Sequence, residues 1–144
     1  MIKIICLGKL KEKYLTDMVE DYYNRLKKYT KIEIIELKDT DLKEESNMIL
    51  SKITDDYVIL LDREGKELSS LEFKDKLVSL QNYSRKNITF VIGSSEGVDL
   101  SVKERANEII SFSRLTFPHG LFRVILLEQI YRSFKIINNE TYHK

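Results

Sequence analysis

Residues 57–61 of this sequence read YVILL, and this stretch decides the fold. Five consecutive apolar residues are typical of a strand that is covered on both faces inside a parallel sheet. The run stops at residues 62–65, DREG, a polar turn at the carboxyl end of the strand. Residues 88–92, ITFVI, repeat the apolar pattern and lead into the loop 93–97, GSSEG. The two stretches predict interior strands, each followed by a loop.

The segments before and between these strands alternate between strand and helix patterns. Short runs rich in isoleucine predict strands at 2–7 and 32–37. Between residues 14 and 29 apolar residues recur every three or four positions, which predicts a helix. Its expected core face consists of Leu15, Met18, Val19, Tyr22, Tyr23 and Leu26. The polar stretch 38–46 predicts a connection into a short helix. The residues of that helix expected to face inward are Met48, Ile49 and Ile53.

Two further helices have recognisable start signals. Ser69 with Glu72, and Ser101 with Glu104, have the spacing of a capping box. The first of these helices is expected to bury Phe73, Leu77 and Leu80. Strands that alternate with helices predict one α/β domain over 1–144, with a mostly parallel sheet and helices on both faces.

Ligands of such sheets bind at the carboxyl ends of the strands. The loops 62–66 and 93–97 follow strands at that edge, and a third irregular stretch runs from 112 to 120. We therefore expect a cofactor to bind among these three segments.

Composition sets the broad class of protein. A chain of 144 residues can build one hydrophobic core but not two ordinary ones. With 24 Lys+Arg against 23 Asp+Glu the formal charge is +1, so no overall basic field indicates a nucleic-acid partner. The single cysteine, Cys6, excludes an internal disulfide and a multi-cysteine metal site, and we expect it to be buried. The sequence shows no signal-peptide pattern and no membrane-spanning run, so the expected location is cytoplasmic.

The stretch 121–134 predicts a helix that is apolar nearly all round. Such a helix needs partners on more than one side, which predicts a second subunit; a central helix in the monomer core is the alternative. Arg123 within it is expected to pair with Glu128 or with a backbone carbonyl at the interface. The polar tail 138–144, taken alone, is typical of a frayed terminus.

Four motifs occur in order along the chain: FVIGSSEG at 90–97, FSRLTFPH at 112–119, LEQIYR at 127–132 and YHK at 142–144. Together with residues 3–13 and 60–65, they resemble the ribosomal RNA large subunit methyltransferase H family, a compact branch of the SPOUT methyltransferases. The resemblance implies a Rossmann-like fold with a carboxyl-terminal trefoil knot, a homodimer and S-adenosylmethionine as methyl donor. The implied reaction is methylation of N3 of a pseudouridine in large-subunit (23S) ribosomal RNA, on the assembled ribosome.

The resemblance also implies which residues contact the cofactor. They are Leu61, Gly93, Phe112, Ser113, Arg114, Leu115, Thr116 and Phe117. Glycine permits close approach of the backbone to a ligand, and an irregular backbone can offer amide and carbonyl groups to an adenine edge. Leu61 and Phe112 would equally serve as ordinary core residues. The sequence departs from the family pattern at Ser94, where a second glycine is usual. No metal is expected.

Methyl transfer to N3 requires that the proton on this nitrogen leaves, so a base or a cationic environment is needed. The candidate catalytic residues are Arg132, Tyr142, His143, Lys144 and His119. Arg132 and Lys144 offer positive charge, and Tyr142 offers stacking or a hydrogen bond to the base. His119 is expected either to act as a base or contact substrate, or to be an ordinary loop histidine. Because the tail is short, and because the resemblance implies a dimer with the cofactor near the subunit boundary, we expect the tail to complete the site of the partner subunit.

Three other functions fit parts of the pattern. A methyltransferase of the same class could act on transfer RNA, and only tests of substrates would separate it. A nucleotide-sensing or ribosome-binding module without catalysis would fail to bind S-adenosylmethionine through the loop with Ser94. A flavodoxin-like binder of phosphate or flavin would need a richer hydroxyl or glycine loop than GKLK at 8–11.

Overall fold

The computed structural model describes residues 1–144, and its centre is a sheet of five parallel strands in the order β2-β1-β4-β3-β5. The elements in chain order are β1 (Ile2–Leu7), α1 (Lys13–Leu26), β2 (Ile32–Leu37), α2 (Leu42–Lys52), β3 (Tyr57–Glu67), α3 (Ser70–Tyr83), β4 (Ile88–Ile92), α4 (Leu100–Arg105), β5 (Glu108–Ser111) and α5 (His119–Ile137). The mostly parallel α/β architecture predicted from the sequence is thus confirmed.

The two interior strands are neighbours. Tyr57 of β3 lies opposite Ile88 of β4, and Leu61 lies opposite Ile92. Every side chain of β4 is buried, as a strand covered on both faces requires. Strand β3 does not stop at Leu61, because it continues to Glu67 after a shift in its register with β5. The polar turn is therefore an irregularity inside a long strand.

The helices cover both faces of the sheet in two layers. Helices α1, α3 and α5 bury one face, and their core includes Leu26, Leu77 and Ile130. The shorter helices α2 and α4 cover the other face through Ile49 and Val102. No helix is both long and apolar enough to cross a membrane.

Helix α5 packs between α1 and α3. Its buried residues are Arg123, Val124, Leu126, Leu127, Ile130, Tyr131, Ser133 and Phe134. Most of its apolar circumference is covered within one chain, which agrees with the alternative of a central helix in the monomer core. The apolar residues of α5 that stay half-buried are Leu121, Phe122, Ile125, Ile136 and Ile137.

Local signals in the sequence were right in some places and wrong in others. The capping box of Ser69 and Glu72 is present, with both backbone-to-side-chain bonds formed. The box predicted at Ser101 is wrong, because Asp99 caps α4 through the N–H of Leu100. Helix α2 begins inside the predicted connection, since Asp41 caps it through the N–H of Glu44. The expected core residue Met18 is exposed.

Candidate cofactor cleft and carboxyl-terminal tail

A cleft of about 420 Å³ opens where β3 and β4 end. All three segments selected from the sequence contribute to its walls, and its size is that of a small-molecule site. Its lining residues are Leu60, Leu61, Asp62, Arg63, Glu64, Ile92, Gly93, Ser94, Ser95, Glu96, Gly97, Val98, Lys103, Phe112, Ser113, Leu115, Thr116, Phe117, His119 and Phe122. Of the residues expected to contact cofactor, only Arg114 lies outside this lining, and its guanidinium faces Glu67.

One wall of the cleft is a tight turn from Gly93 to Gly97. The N–H of Ser94 donates to the carbonyl of Gly97 (3.2 Å), and the N–H of Gly97 donates back to the carbonyl of Ser94 (2.8 Å). A Cβ on Gly93 would lie 2.7 Å from the Gly97 carbonyl oxygen, so only glycine fits there. The hydroxyl of Ser94 is directed at that same oxygen, 3.4 Å away. Ser94 therefore bonds within the turn itself.

The opposite wall is the irregular segment 112–117, whose main chain has spare hydrogen-bonding capacity. Among the backbone N–H groups of residues 113–117, only that of Leu115 has a partner in the chain, the hydroxyl of Ser113 at 2.9 Å. Residues 114–116 are exposed, so these unpaired groups are free to bond water or a polar ligand in the cleft, such as the edge of an adenine ring.

Side chains hold this segment in place. Phe112 packs edge-on against Phe73 (ring centroids 5.4 Å apart) and lies 5.6 Å from Phe122. The guanidinium of Arg63 donates to the hydroxyl of Thr116 at 2.7 Å, which joins two walls of the cleft. Phe112 thus serves the core and the cleft at once, and so does the buried Leu61.

The start of α5 is bonded to the ends of β1 and β2. Arg123 is buried, donates to the carbonyls of Leu7 (3.3 Å) and Gly8 (3.2 Å), and pairs with Glu36 at 2.6 Å. Of the two partners expected for Arg123, backbone carbonyls are confirmed, although they belong to the same chain; Glu128 is wrong, because Glu36 of β2 forms the ion pair. A ring nitrogen of His119, Nε2, also bonds the Leu7 carbonyl at 2.9 Å.

His119 makes folding sensitive to pH. Burial, with a smaller contribution from Arg123, lowers the pKa of this imidazole below its ordinary value of 6.5. The unfolded chain therefore takes up the proton at a higher pH than the folded chain does, and stability falls as the pH drops from 6.5 through the folded pKa. We expect His119→Gln to lose less stability than the wild type between about pH 7 and pH 5. Urea unfolding of both proteins across that range measures this; parallel curves would contradict it.

The tail is ordered against its own chain. Glu128 accepts hydrogen bonds from Nη2 of Arg132 (2.6 Å) and from the hydroxyl of Tyr142 (3.1 Å). Nη1 of Arg132 lies 3.0 Å from Nδ1 of His143, and its guanidinium lies over the Tyr142 ring. We call the group Tyr22, Glu128, Arg132, Tyr142 and His143 the tail cluster.

A second group of hydrogen bonds holds the start of the tail in place. Glu140 accepts from the hydroxyl of Tyr29 (2.8 Å) and from Nζ of Lys135 (2.9 Å). Asn139 before it has a positive φ of 55°, which turns the chain back after α5. The interpretation of 138–144 as a frayed terminus is therefore wrong.

The tail cluster and the cleft are separate within one chain. Arg132, Tyr142, His143 and Lys144 do not line the cleft, whereas His119 does. Glu128 was not predicted to belong to the site, although its spacing of four residues from Arg132 on a helix is the usual signal of an ion pair. Lys103 in the cleft lining was not predicted either, and Arg63 was predicted only as part of the loop 62–66.

Comparison with known proteins covers almost the whole chain. A family model described as "Predicted SPOUT methyltransferase" matches residues 1–143. The ribosomal RNA large subunit methyltransferase H of Bacillus pumilus is 47% identical over 99% of both chains. The protein of the same name from Enterococcus faecalis is 46% identical over 99% of both.

Solved structures of distant sequence share the fold. A probable methylase family protein from Haemophilus influenzae has a TM-score of 0.56 at 11% identity, covering 96% of this chain and 66% of that one. The SpoU methyltransferase AviRb from Streptomyces viridochromogenes, in complex with the cofactor AdoMet, has a TM-score of 0.50 at 6% identity, covering 92% and 57%. Identities this low show the fold alone.

Proposed function

Because this chain belongs to the ribosomal RNA large subunit methyltransferase H family of SPOUT methyltransferases, we propose that it methylates N3 of a pseudouridine in large-subunit (23S) ribosomal RNA. The methyl donor is S-adenosylmethionine, and the substrate is the assembled ribosome in the cytoplasm. The observation that carries this proposal is the cleft, in which unpaired main-chain groups of residues 113–117 face the glycine turn at 93–97.

The cleft residues would hold the cofactor in distinct ways. Unpaired amides and carbonyls of residues 113–117 would bond the adenine edge, and Leu61 and Phe117 would cover the ring. Gly93 allows the backbone to come close to the ligand. When bound, the cofactor supplies a methyl group on a positively charged sulfur.

The tail cluster provides the environment for the acceptor nitrogen. The proton on N3 must leave before its electron pair can attack, and a nearby cation favours the deprotonated base. Arg132 supplies this charge, and Lys144 adds to it or holds an RNA phosphate. Tyr142 stacks on the base, while His143 is the candidate proton acceptor, once Arg132 releases the free electron pair of Nδ1. Glu128 fixes Arg132 and Tyr142 in one geometry by bonding both.

A homodimer brings the two parts of the site together. Within one chain the tail cluster lies apart from the cleft, so we propose that each tail completes the cleft of the partner subunit. Two features support a partner near the mouth of the cleft: Leu115 is 70% exposed, and the apolar side chains of Phe122 and Ile125 are only half-buried.

We further propose that the carboxyl-terminal part is threaded into a trefoil knot. The chain passes from α4 on one face of the sheet, through β5 at its edge, to α5 on the other face. On the way, segment 112–117 is joined to the irregular stretch of β3 after Leu61 by the bond between Arg63 and Thr116. A passage of the chain from one face of the sheet to the other is one element of a knotted arrangement.

The test is transfer of labelled methyl from S-adenosylmethionine to assembled ribosomes that lack the modification, compared with free large subunits and with transfer RNA. Label in one pseudouridine of the large-subunit RNA supports the proposal. Label in transfer RNA alone would assign the same chemistry to another substrate. Absence of both binding and transfer would favour a ribosome-binding module without catalysis.

A further inference from the structure

His119 is held in one tautomer by its contact with β1. Nε2 lies 2.9 Å from the carbonyl oxygen of Leu7, and a carbonyl only accepts hydrogen bonds. Nε2 therefore carries the proton. In a neutral imidazole the other nitrogen, Nδ1, is then an acceptor with a free electron pair.

The surroundings keep the ring neutral. The guanidinium of Arg123 donates to the same Leu7 carbonyl, at 3.3 Å, and its positive charge opposes a second positive charge on the imidazole. Asp39 acts in the other direction, but burial and Arg123 outweigh it, and the pKa of His119 is lowered. At neutral pH the ring thus offers one donor, which Leu7 uses, and one acceptor.

That acceptor has no partner and is not fully buried. Nδ1 of His119 has no partner in the chain. Only two buried side-chain N or O atoms lack a partner, Oγ of Ser111 and Nε of Arg123. Nδ1 is therefore accessible, although the residue is half-buried, and His119 lines the cleft beside Phe117 and Phe122.

We propose that Nδ1 of His119 accepts a hydrogen bond from a hydroxyl or amino group of the bound S-adenosylmethionine. This inference rests on the proposed function and gives His119 a binding role. One observation favours the cofactor over the RNA base. His119 follows the segment 112–117, which we assign to the adenine, with only Pro118 between them, and it lines the same cleft.

The first test is the affinity of His119→Gln for S-adenosylmethionine by calorimetry. The glutamine amide can still donate to Leu7 but offers no acceptor at the position of Nδ1. We expect the Kd to rise about fivefold to tenfold, the equivalent of one hydrogen bond. Arg85→Gln, at an exposed position after α3 and outside the cleft, is the control and should keep the wild-type Kd. An unchanged Kd with slower methyl transfer at saturating cofactor would overturn the proposal in favour of a base role for His119.

The second test uses the wild-type protein, so its result does not depend on whether a variant folds. In wild-type protein with ¹⁵N-labelled histidine, we expect Nε2 of His119 to be protonated, Nδ1 to be unprotonated, and only Nδ1 to shift strongly when S-adenosylmethionine is added. A protonated Nδ1, or one that the cofactor does not shift, would overturn the proposal. If the cofactor binds and shifts Nδ1 but no ribosomal RNA is methylated, the proposed substrate fails while this inference holds. If the wild type binds no cofactor, both fail.

Discussion

Deletion of residues 142–144 is expected to lower the rate of methyl transfer to ribosomes by at least about a hundredfold, the range of acid–base and electrostatic catalysis. The deletion removes Tyr142 from the ring face of Arg132 and His143 from its guanidinium. The affinity for S-adenosylmethionine should change by no more than about twofold, because none of the deleted residues lines the cleft of its own chain and the tail is assigned to the RNA base. Single-turnover transfer and calorimetry on the same preparation measure the two quantities.

Mixed dimers then show in which subunit the tail acts. A chain without its tail keeps an intact cleft, and a chain with a damaged cleft keeps its tail. If each tail completes the cleft of the partner subunit, mixing the two inactive proteins restores transfer at one site per mixed dimer. If the mixture stays inactive while mixed dimers are shown to form, the tail acts within its own chain.

Gly93→Ala is expected to weaken binding of S-adenosylmethionine by at least about tenfold and to reduce methyl transfer at low cofactor accordingly. The new Cβ would lie 2.7 Å from the Gly97 carbonyl oxygen and 2.8 Å from Cγ1 of Val98, so the turn must open into the cleft. Overpacking of this kind costs about 1–3 kcal/mol. Calorimetric titration gives the Kd, and urea unfolding gives the loss of stability.

Gly97→Ala is the matched control for this prediction. Gly97 has a φ of 83°, which alanine adopts with strain, but a Cβ there meets no atom within 4 Å. This variant should lose stability by about 1–2 kcal/mol and lose less affinity than Gly93→Ala. Equal loss of affinity in both variants would show that backbone strain, not entry of atoms into the cleft, is responsible.

The sequence predicted the fold well wherever a pattern was local and strong. Continuous apolar runs located β3 and β4, and the spacing of Ser69 and Glu72 located the start of α3. Strand β5 was missed because it has only four residues, two of them apolar, and forms only by pairing with β3. The start of α4 was misplaced because Asp99 and Ser101 are both good caps, and only tertiary contacts choose between them.

The site was predicted in part for a similar reason. The cleft segments could be found because they follow strands and carry motifs. The partner of Arg123 could not be found, because Glu36 is 87 residues away and no local spacing links them. The tail is held in place by hydrogen bonds with Tyr22, which lies in α1, and with Tyr29, which lies just after that helix. Contacts at such separations become visible only in three dimensions.

The hydrogen bonds between α5 and the ends of the first strands also affect the order in which parts of the protein fold. His119 reaches Leu7 across 112 positions, and Tyr22 reaches Tyr142 across 120. Contacts of such long sequence separation are slow to form, because the intervening chain must be ordered first. During synthesis the sheet can be assembled as far as β4 long before α5 exists. Because His119 and Phe122 of α5 line the binding cleft, the cleft is complete only after this final helix has docked.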